Sequence, residues 1–513
     1  MKVTRISKTQ TALKTLTAGA LVLAALNHVY AQYTPPQPPA PFAGFINEAL
    51  RKDDPYMAQW DFGGSVRGRY EIKDGYGIPG VAGSVDFRDF GANVDNDYFL
   101  ERIRVRGGYT DQWWSAMVEG QFSLAQNDKR FAYANVPPVP GTVQRKDDGP
   151  EADVAELHQA YFTLGNHKKF PLSVKIGRQE MSYGDERLVG AVGWNNIGRT
   201  FDTAKMRWQN AWFGADIFTS RPVIPQDGVF DVSNDYEYFS GIYANVNNVP
   251  KHTLDVYFFA RNATPQAISA VPSPQFSQPS ARDIYTIGTR LKSRPGELGS
   301  WDYTVEGAYQ FGNFQDLRVG APAGRLDQSA YMFVAQGGYT FVDTWGTPRI
   351  GLEYSYGSGD GNPTDGRHQT FDNLFPTNHK FYGYMDFVSL QNIQDLRACF
   401  TLKPTKSISL ALEGHGFWLA TTSDNFYNVA GAPRSGPTLA ANVGTGTGYG
   451  VNPSYDAYVG AEIDIVAGWA FTRFSTVEVG YGHFFAGDYI ESSLSALGSQ
   501  DANFFYAQLN VNF

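Results

Sequence analysis

From Trp60 onward, apolar and polar residues alternate with a period of two. Phe62, Gly64, Val66, Gly68 and Tyr70 fall on one face, opposite Asp61, Ser65, Arg67 and Arg69. That period belongs to a strand, whose successive side chains point to opposite faces. In 99–109, Ile103, Val105 and Tyr109 oppose Arg102, Arg104 and Arg106. In 113–125, Trp114, Ala116, Val118 and Phe122 oppose Glu119 and Gln121. The rhythm predicts further strands over 154–164, 171–178, 201–208, 211–218, 237–246, 253–262, 283–293, 300–311, 330–341, 348–357, 395–403, 407–417, 455–466, 471–482 and 502–513. That makes about 18 strands, with ends good to a few residues. In the last of them Phe505, Ala507, Leu509, Val511 and Phe513 share a face, and the sequence stops on that aromatic.

Connections between these strands alternate between short turns of about 2–8 residues and loops of about 18–40. No segment offers about 18 uninterrupted apolar residues, so any membrane span must be built from strands in a closed barrel. The expected fold is an all-β, up-and-down antiparallel transmembrane barrel, with short periplasmic turns, long extracellular loops and both termini periplasmic. The final strand, ending in Phe513, resembles the closing strand of bacterial outer-membrane barrels. A β-propeller lacks this alternation of turn lengths; a soluble multi-sheet protein is the competing architecture. The stretch 358–394 breaks the rhythm, and YGYMDFVSL within it reads either as a strand or as part of an inward-folded loop.

Composition agrees with a barrel. Aromatics make up 15% of the 513 residues and charged residues only 18%, sparse for a soluble surface but suited to aromatic girdles and a lipid-facing band. Lys2, Arg5, Lys8 and Lys14 precede a short apolar run at 17–26 and a cleavage-like Val29-Tyr30-Ala31, so residues 1–31 read as a secretory signal. Residues 32–59 read as a proline-rich periplasmic leader, in which 42–52 forms either a short helix or no regular structure, and 60–513 as the barrel. The formal charge is −9 and becomes about −13 without the signal's four basic residues, which argues against nucleic acid as a partner. A single Cys399 excludes an intrachain disulfide.

Alternation also sorts the charges. Arg or Lys on the lipid face at mid-depth costs roughly 2–4 kcal/mol. Arg67, Arg69, Arg102, Arg104, Arg106, Lys175, Lys205, Arg207, Arg290 and Arg397 are therefore expected to face the lumen. Glu119, Asp216, Glu306, Glu353, Glu413, Glu462 and Asp464 are expected there too. The plainer reading is that these groups pair across the barrel and hold its shape. Three arginines on one strand call for counter-charges, an anionic solute, or both. Many carboxylates, such as Asp95, Asp97, Asp227, Asp231, Asp235 and Asp360, fall in predicted loops, so the net negative charge leaves a basic lumen possible. Asp95-Asn96-Asp97 and 357–361 lack the full spacing of a calcium loop and read as solvated outer loops. No metal or cofactor is expected; His158 reads as lumen lining beside Glu156. Ser409, Glu413 and His415 share a face, but strands gather polar groups by default, and no catalytic residue is assigned.

The stretch 176–208 is the most specific in the chain. It carries Gly177-Arg178-Gln179, a loop from Gly184 to Gly190 (GDERLVG), Trp194-Asn195, and Arg199-Thr200-Phe201-Asp202. This pattern resembles the core motif of the alginate export family of outer-membrane porins; the upstream HQAYFTL at 158–164 and the terminal strand fit too. The resemblance implies an 18-strand barrel with an arginine-rich constriction that passes a negatively charged polyuronate, served by periplasmic export proteins. Arg178, Arg187 and Arg199 match motif positions, and Asp185, Glu186 and Asp202 lie near enough in sequence to anchor them as ion pairs. The expectation is a passive outer-membrane channel, in contact with lipid, for an anionic polysaccharide or other anionic solute. The alternatives are a general diffusion or uptake porin for small sugars or anions, and a barrel enzyme or structural barrel without an open pore.

Overall fold

The computed structural model describes residues 42–75, 96–128, 151–165, 170–225, 227–264, 281–315, 324–431, 433–434, 451–495 and 499–513. The expected secretory signal and the prolines that follow it lie outside the described residues. The strands are β1 (Trp60–Asp74), β2 (Asn96–Thr110), β3 (Trp114–Gln126), β4 (Asp153–Leu164), β5 (Leu172–Gln179), β6 (Phe201–Gln209), β7 (Phe213–Ile224), β8 (Glu237–Val246) and β9 (His252–Ala263). They continue with β10 (Arg282–Ser293), β11 (Trp301–Gln315), β12 (Arg325–Thr340), β13 (Arg349–Gly357), β14 (Ile393–Leu402), β15 (Ile408–Leu419), β16 (Tyr458–Thr472), β17 (Ser475–Ala486) and β18 (Ala502–Asn512). Each pairs antiparallel with its neighbour in sequence, and β18 returns to β1. The result is a closed 18-strand barrel in which every predicted strand has its counterpart. Two-residue strands at Val232–Ser233 and Arg367–His368 add to its rim.

Closure leaves no strand edge exposed to lipid, where an unpaired backbone N–H or C=O would cost several kcal/mol. Val66, Ile103, Val105, Val118, Ile176, Ile217, Ile242, Ile287, Ile350, Leu396, Ile463 and Leu509 point outward and form an apolar band. At the short-turn end, rings interlock along the wall: Trp60 with Tyr109 at 4.8 Å, Tyr109 with Trp114 at 5.3 Å, and Trp301 with Tyr339 at 4.9 Å between centroids. A soluble protein does not expose so many large apolar groups; a membrane barrel requires them. Val105 lies within this band and is 56% exposed. Val105→Arg is expected to lower unfolding free energy in lipid vesicles by about 2–4 kcal/mol, measured by urea titration.

The chain end completes the closure. Phe513 exchanges both backbone hydrogen bonds with Gly64, at 3.1 and 2.8 Å. A helix at Phe45–Asp53 settles in the leader at this end, where either helix or irregular chain was expected. Its buried Asn47 accepts from the Phe62 amide and donates to Asp61, while Phe45 packs near Phe513.

The long-loop half of the lumen is filled. Phe201, Phe239, Phe259, Phe417, Phe484 and Tyr506 point inward from the strands and meet Phe371, Phe387, Val388 and Leu390 from the connection between β13 and β14. YGYMDFVSL is thus an inward-folded loop, which settles the ambiguity at 358–394. Asp360, expected in a solvated outer loop, is instead fully buried, because the whole connection turns into the barrel.

Candidate functional site

Two connections enter the lumen and join there: 180–200, between β5 and β6, and 358–392, between β13 and β14. The first carries the motif glycines. Gly198 adopts φ +84°, a left-handed conformation that glycine accepts without penalty. At Gly190 a Cβ would sit 2.1 Å from Thr377 Oγ1, so only glycine lets the two loops close. Phe375 N donates to Leu188 O (2.9 Å), Gly190 N to Phe375 O (2.8 Å) and Thr377 N to Glu186 O (2.9 Å). The Thr377 hydroxyl adds a bond to Glu186 Oε2 at 2.8 Å.

Charged side chains pin this joined body to the wall. Arg187 reaches Glu353 on β13 at 2.6 Å and donates to the Tyr382 hydroxyl, with its guanidinium 3.9 Å from the Phe381 ring centroid. Burial disfavours the Arg187 charge, but Glu353 and Tyr382 more than offset it and hold its pKa above the ordinary value. Arg199 donates to the carbonyls of Gly190 and Pro376. Asp372 accepts from Arg261 on β9 (2.9 Å) and Arg282 on β10 (2.7 Å). Burial opposes its ionisation, yet the two guanidinium groups keep its carboxyl below the usual carboxylate range.

On the opposite wall, arginines hold the 193–196 backbone. Arg67 donates to Gly193 O, Asn195 O and Asn196 Oδ1. Arg102, its register partner, donates to Gly193 O and Asn195 O. Arg69 donates to Trp194 O, pairs with Glu71 at 2.7 Å and lies 3.8 Å from the Trp194 ring centroid. These three guanidiniums are enclosed beneath the loop, and carbonyl oxygens supply much of the counter-charge they need. Arg104 bonds Gln121 and pairs with Glu180 at 3.1 Å. His158 holds the same Glu180 oxygen at 2.8 Å. Burial works against the Glu180 charge, but the His158 hydrogen bond and Arg104 bring its pKa down to about 2.

Less enclosed cations line the wall toward the short turns. Arg106 pairs with Asp61 at 3.1 Å and approaches Glu119 at 3.9 Å. Lys175 and Lys205 are direct register partners on β5 and β6. Lys175 Nζ lies 3.4 Å from the Tyr161 ring centroid, with no carboxylate within ion-pair distance among the described residues. Lys205 (3.7 Å) and Arg207 (2.7 Å) share Asp216. This patch thus gathers three basic side chains, and among the described residues Asp216 is the one carboxylate within ion-pair distance of any of them. Across the lumen, a cavity of about 520 Å³ at the short-turn end is lined by Lys292, Gln336, Glu353, Arg397 and Glu413 among others. Arg397 is held there by Glu413 at 2.5 Å.

Several residues lie elsewhere than their sequence suggests. Arg178 does not face the lumen: it shares the outward face of β5 with Ile176 and forms a two-pronged pair with Asp202, at 3.0 and 3.1 Å. Strand parity is the reason, since an inward Lys175 turns Arg178 outward. Asp185 and Glu186 anchor none of the motif arginines. Asp185 instead pairs with Arg290 (2.9 Å) and Lys292 (2.7 Å), and Glu186 with Lys380 (2.9 Å), because the loop crosses the lumen to reach distant partners. Arg290 is further held by Asp255. Arg261, Arg282 and Asp372 escaped sequence reading, since nothing local marks an aspartate in an irregular loop as a bridge between strands. His415 Nδ1 bonds Asp395 at 3.0 Å, and its Nε2 lies 3.7 Å from Glu413.

The pattern that defines the alginate export family matches residues 59–500. No curated protein matches the sequence. Among solved structures, the barrel is similar to OccAB4 of Acinetobacter baumannii, at 9% identity and TM-score 0.52 over 89% of this chain and 98% of that one. It is similar to OccK8 (OprE) of Pseudomonas aeruginosa at 9% identity and TM-score 0.52, over the same shares of both chains. OccAB2 of Acinetobacter baumannii gives 9% identity and TM-score 0.52 over 88% and 98%. Likeness at such low identity concerns the fold alone.

Proposed function

The chain belongs to the alginate export family of outer-membrane channel barrels, and from that premise we propose that it passes anionic polysaccharide of the polyuronate type by passive diffusion. Residues 1–31 act as the secretory signal, the segment 32–59 is a periplasmic leader, and both termini face the periplasm in this reading. Carboxylate groups of the solute meet the patch of Lys175, Lys205 and Arg207, flanked by Arg106. The observation that carries this reading is the register pairing of Lys175 with Lys205 over a single Asp216. Like charges directly opposite on neighbouring strands are destabilising. A site that keeps them is suited to a passing anion, and a basic lining selects for anions. Arg67, Arg69, Arg102, Arg187 and Arg199 position the two inward loops and do not contact the solute. Partners are membrane lipid and the passing solute, with periplasmic export proteins at the short-turn end; no step of catalysis is involved.

A second reading has its own support. The aromatic packing that fills the long-loop half of the lumen favours small anions over an extended chain. Single-channel recording separates the two. Uronate oligomers at micromolar to millimolar concentration are expected to interrupt the current in discrete events, while neutral oligosaccharides of equal length are not. Steady current with uronates present, combined with conductance of small organic acids, would favour the small-anion porin. Absence of conductance would remove both.

A further inference from the structure

β5 and β6 are short because the chain between them dives into the lumen. Pairing of β4 with β5 stops at Ala160–Arg178, and pairing of β6 with β7 stops at Phe201–Pro222. A notch is left in the wall above them, between 153–159 of β4 and the end of β7. The segment 227–236 lies across it. Val232 and Ser233 pair with Ile224 and Val223 on one side; the Val154 amide donates to Asp227 on the other. Val229, Phe230 and Val232 point outward, each at least half exposed, and continue the apolar surface.

The seam between this segment and β4 is acidic. Asp153, Glu156 and Asp231 each place a carboxylate oxygen within 4.8 Å of the others, and all three are buried. In a regular strand Asp153 and Glu156, three apart, would face opposite ways. A register shift between Gln121 and Ser123, opposite this stretch, and a left-handed Ala155 (φ 65°) bring them together. Glu156 Oε2 accepts from the Asp231 amide, and Arg178 donates to the Asp231 carbonyl, but Asp202 already holds that guanidinium. Asp153 has no exposed surface, and neither of its carboxylate oxygens meets a hydrogen-bond donor. A buried carboxylate without partners is strongly unfavourable unless something compensates it. Hard divalent cations take such clustered oxygen ligands, and calcium tolerates the irregular geometry that magnesium does not.

We propose that Asp153, Glu156 and Asp231 bind a divalent cation of the calcium type, which fastens the 227–236 segment across the notch in the wall. Glu156 and Asp231 bridge β4 to the segment, and Asp153 completes the ligand set from the fully buried side. The cation is separate from the solute path, since the seam lies at the rim and not beside the Lys175 patch.

The test uses the full barrel in detergent, stripped with chelator and then given calcium chloride. Wild type is expected to retain one tightly held calcium more than Asp153→Asn or Glu156→Gln, by equilibrium dialysis. Thermal unfolding should show a crossover. Without calcium the variants, relieved of repulsion, unfold at a higher temperature than wild type; with calcium they unfold at a lower one. Equal calcium retention in wild type and both variants would overturn the proposal, as would one stability ranking in both conditions. If Asp153→Asn fails to fold, Glu156→Gln alone decides by the same two readouts.

Discussion

Arg187→Ala is expected to release both inward loops and raise single-channel conductance severalfold, with a marked increase in open-channel noise. Arg187 and Glu353 are 3% and 4% exposed at their side chains and 2.6 Å apart. Removing one partner of such a buried pair leaves an uncompensated charge and costs about 3–5 kcal/mol. The Tyr382 hydrogen bond and the Phe381 ring contact are lost with it. The barrel itself does not depend on this pair, because its strands close through backbone hydrogen bonds. The disturbance therefore falls on the 180–200 and 358–392 connections. Limited proteolysis should cut within them in the variant and not in wild type. Arg187→Met combined with Glu353→Leu removes both charges and is expected to restore much of the loop order. Unaltered conductance and protease resistance in Arg187→Ala would show that the loops are held by other contacts.

Neutralising Lys175, Lys205 and Arg207 together to glutamine is the second large effect. The patch loses three cations and keeps Asp216. At about 4 Å, each unit-charge interaction is worth about 1 kcal/mol even at the dielectric of water. The triple variant should weaken uronate block by roughly a hundredfold and move the reversal potential toward cations. Arg67 and Arg102 differ in kind. They hold loop carbonyls, so replacing them is expected to loosen 193–196 before it alters selectivity. A triple variant that binds uronate as wild type does would take the patch out of the solute path.

The barrel was legible because lipid and lumen impose different chemistry on alternate residues of every strand. Ile103 beside Arg104 states the rule in two positions. Legibility ended where alternation ended. Tyr382, Phe387 and Leu390 are as buried as any strand residue, yet an inward loop has no period to announce it. Alternation also shows which face a charge takes but not what covers it. Arg67 and Arg69 share a face of β1, and nothing local says that Trp194, more than a hundred residues away, lies over them. The outward turn of Arg178 is legible too, since counting from Lys175 places it on the opposite face. Asp153 and Glu156 were hidden by the register shift and the left-handed Ala155, which a strict period of two does not anticipate.

The central claim is that the open part of the lumen favours anions. Its most direct test is the zero-current potential of the wild-type barrel in a planar bilayer under a tenfold potassium chloride gradient. A potential on the chloride side is expected, reduced toward zero in the Lys175, Lys205 and Arg207 triple variant. A potential on the potassium side in wild type would contradict it.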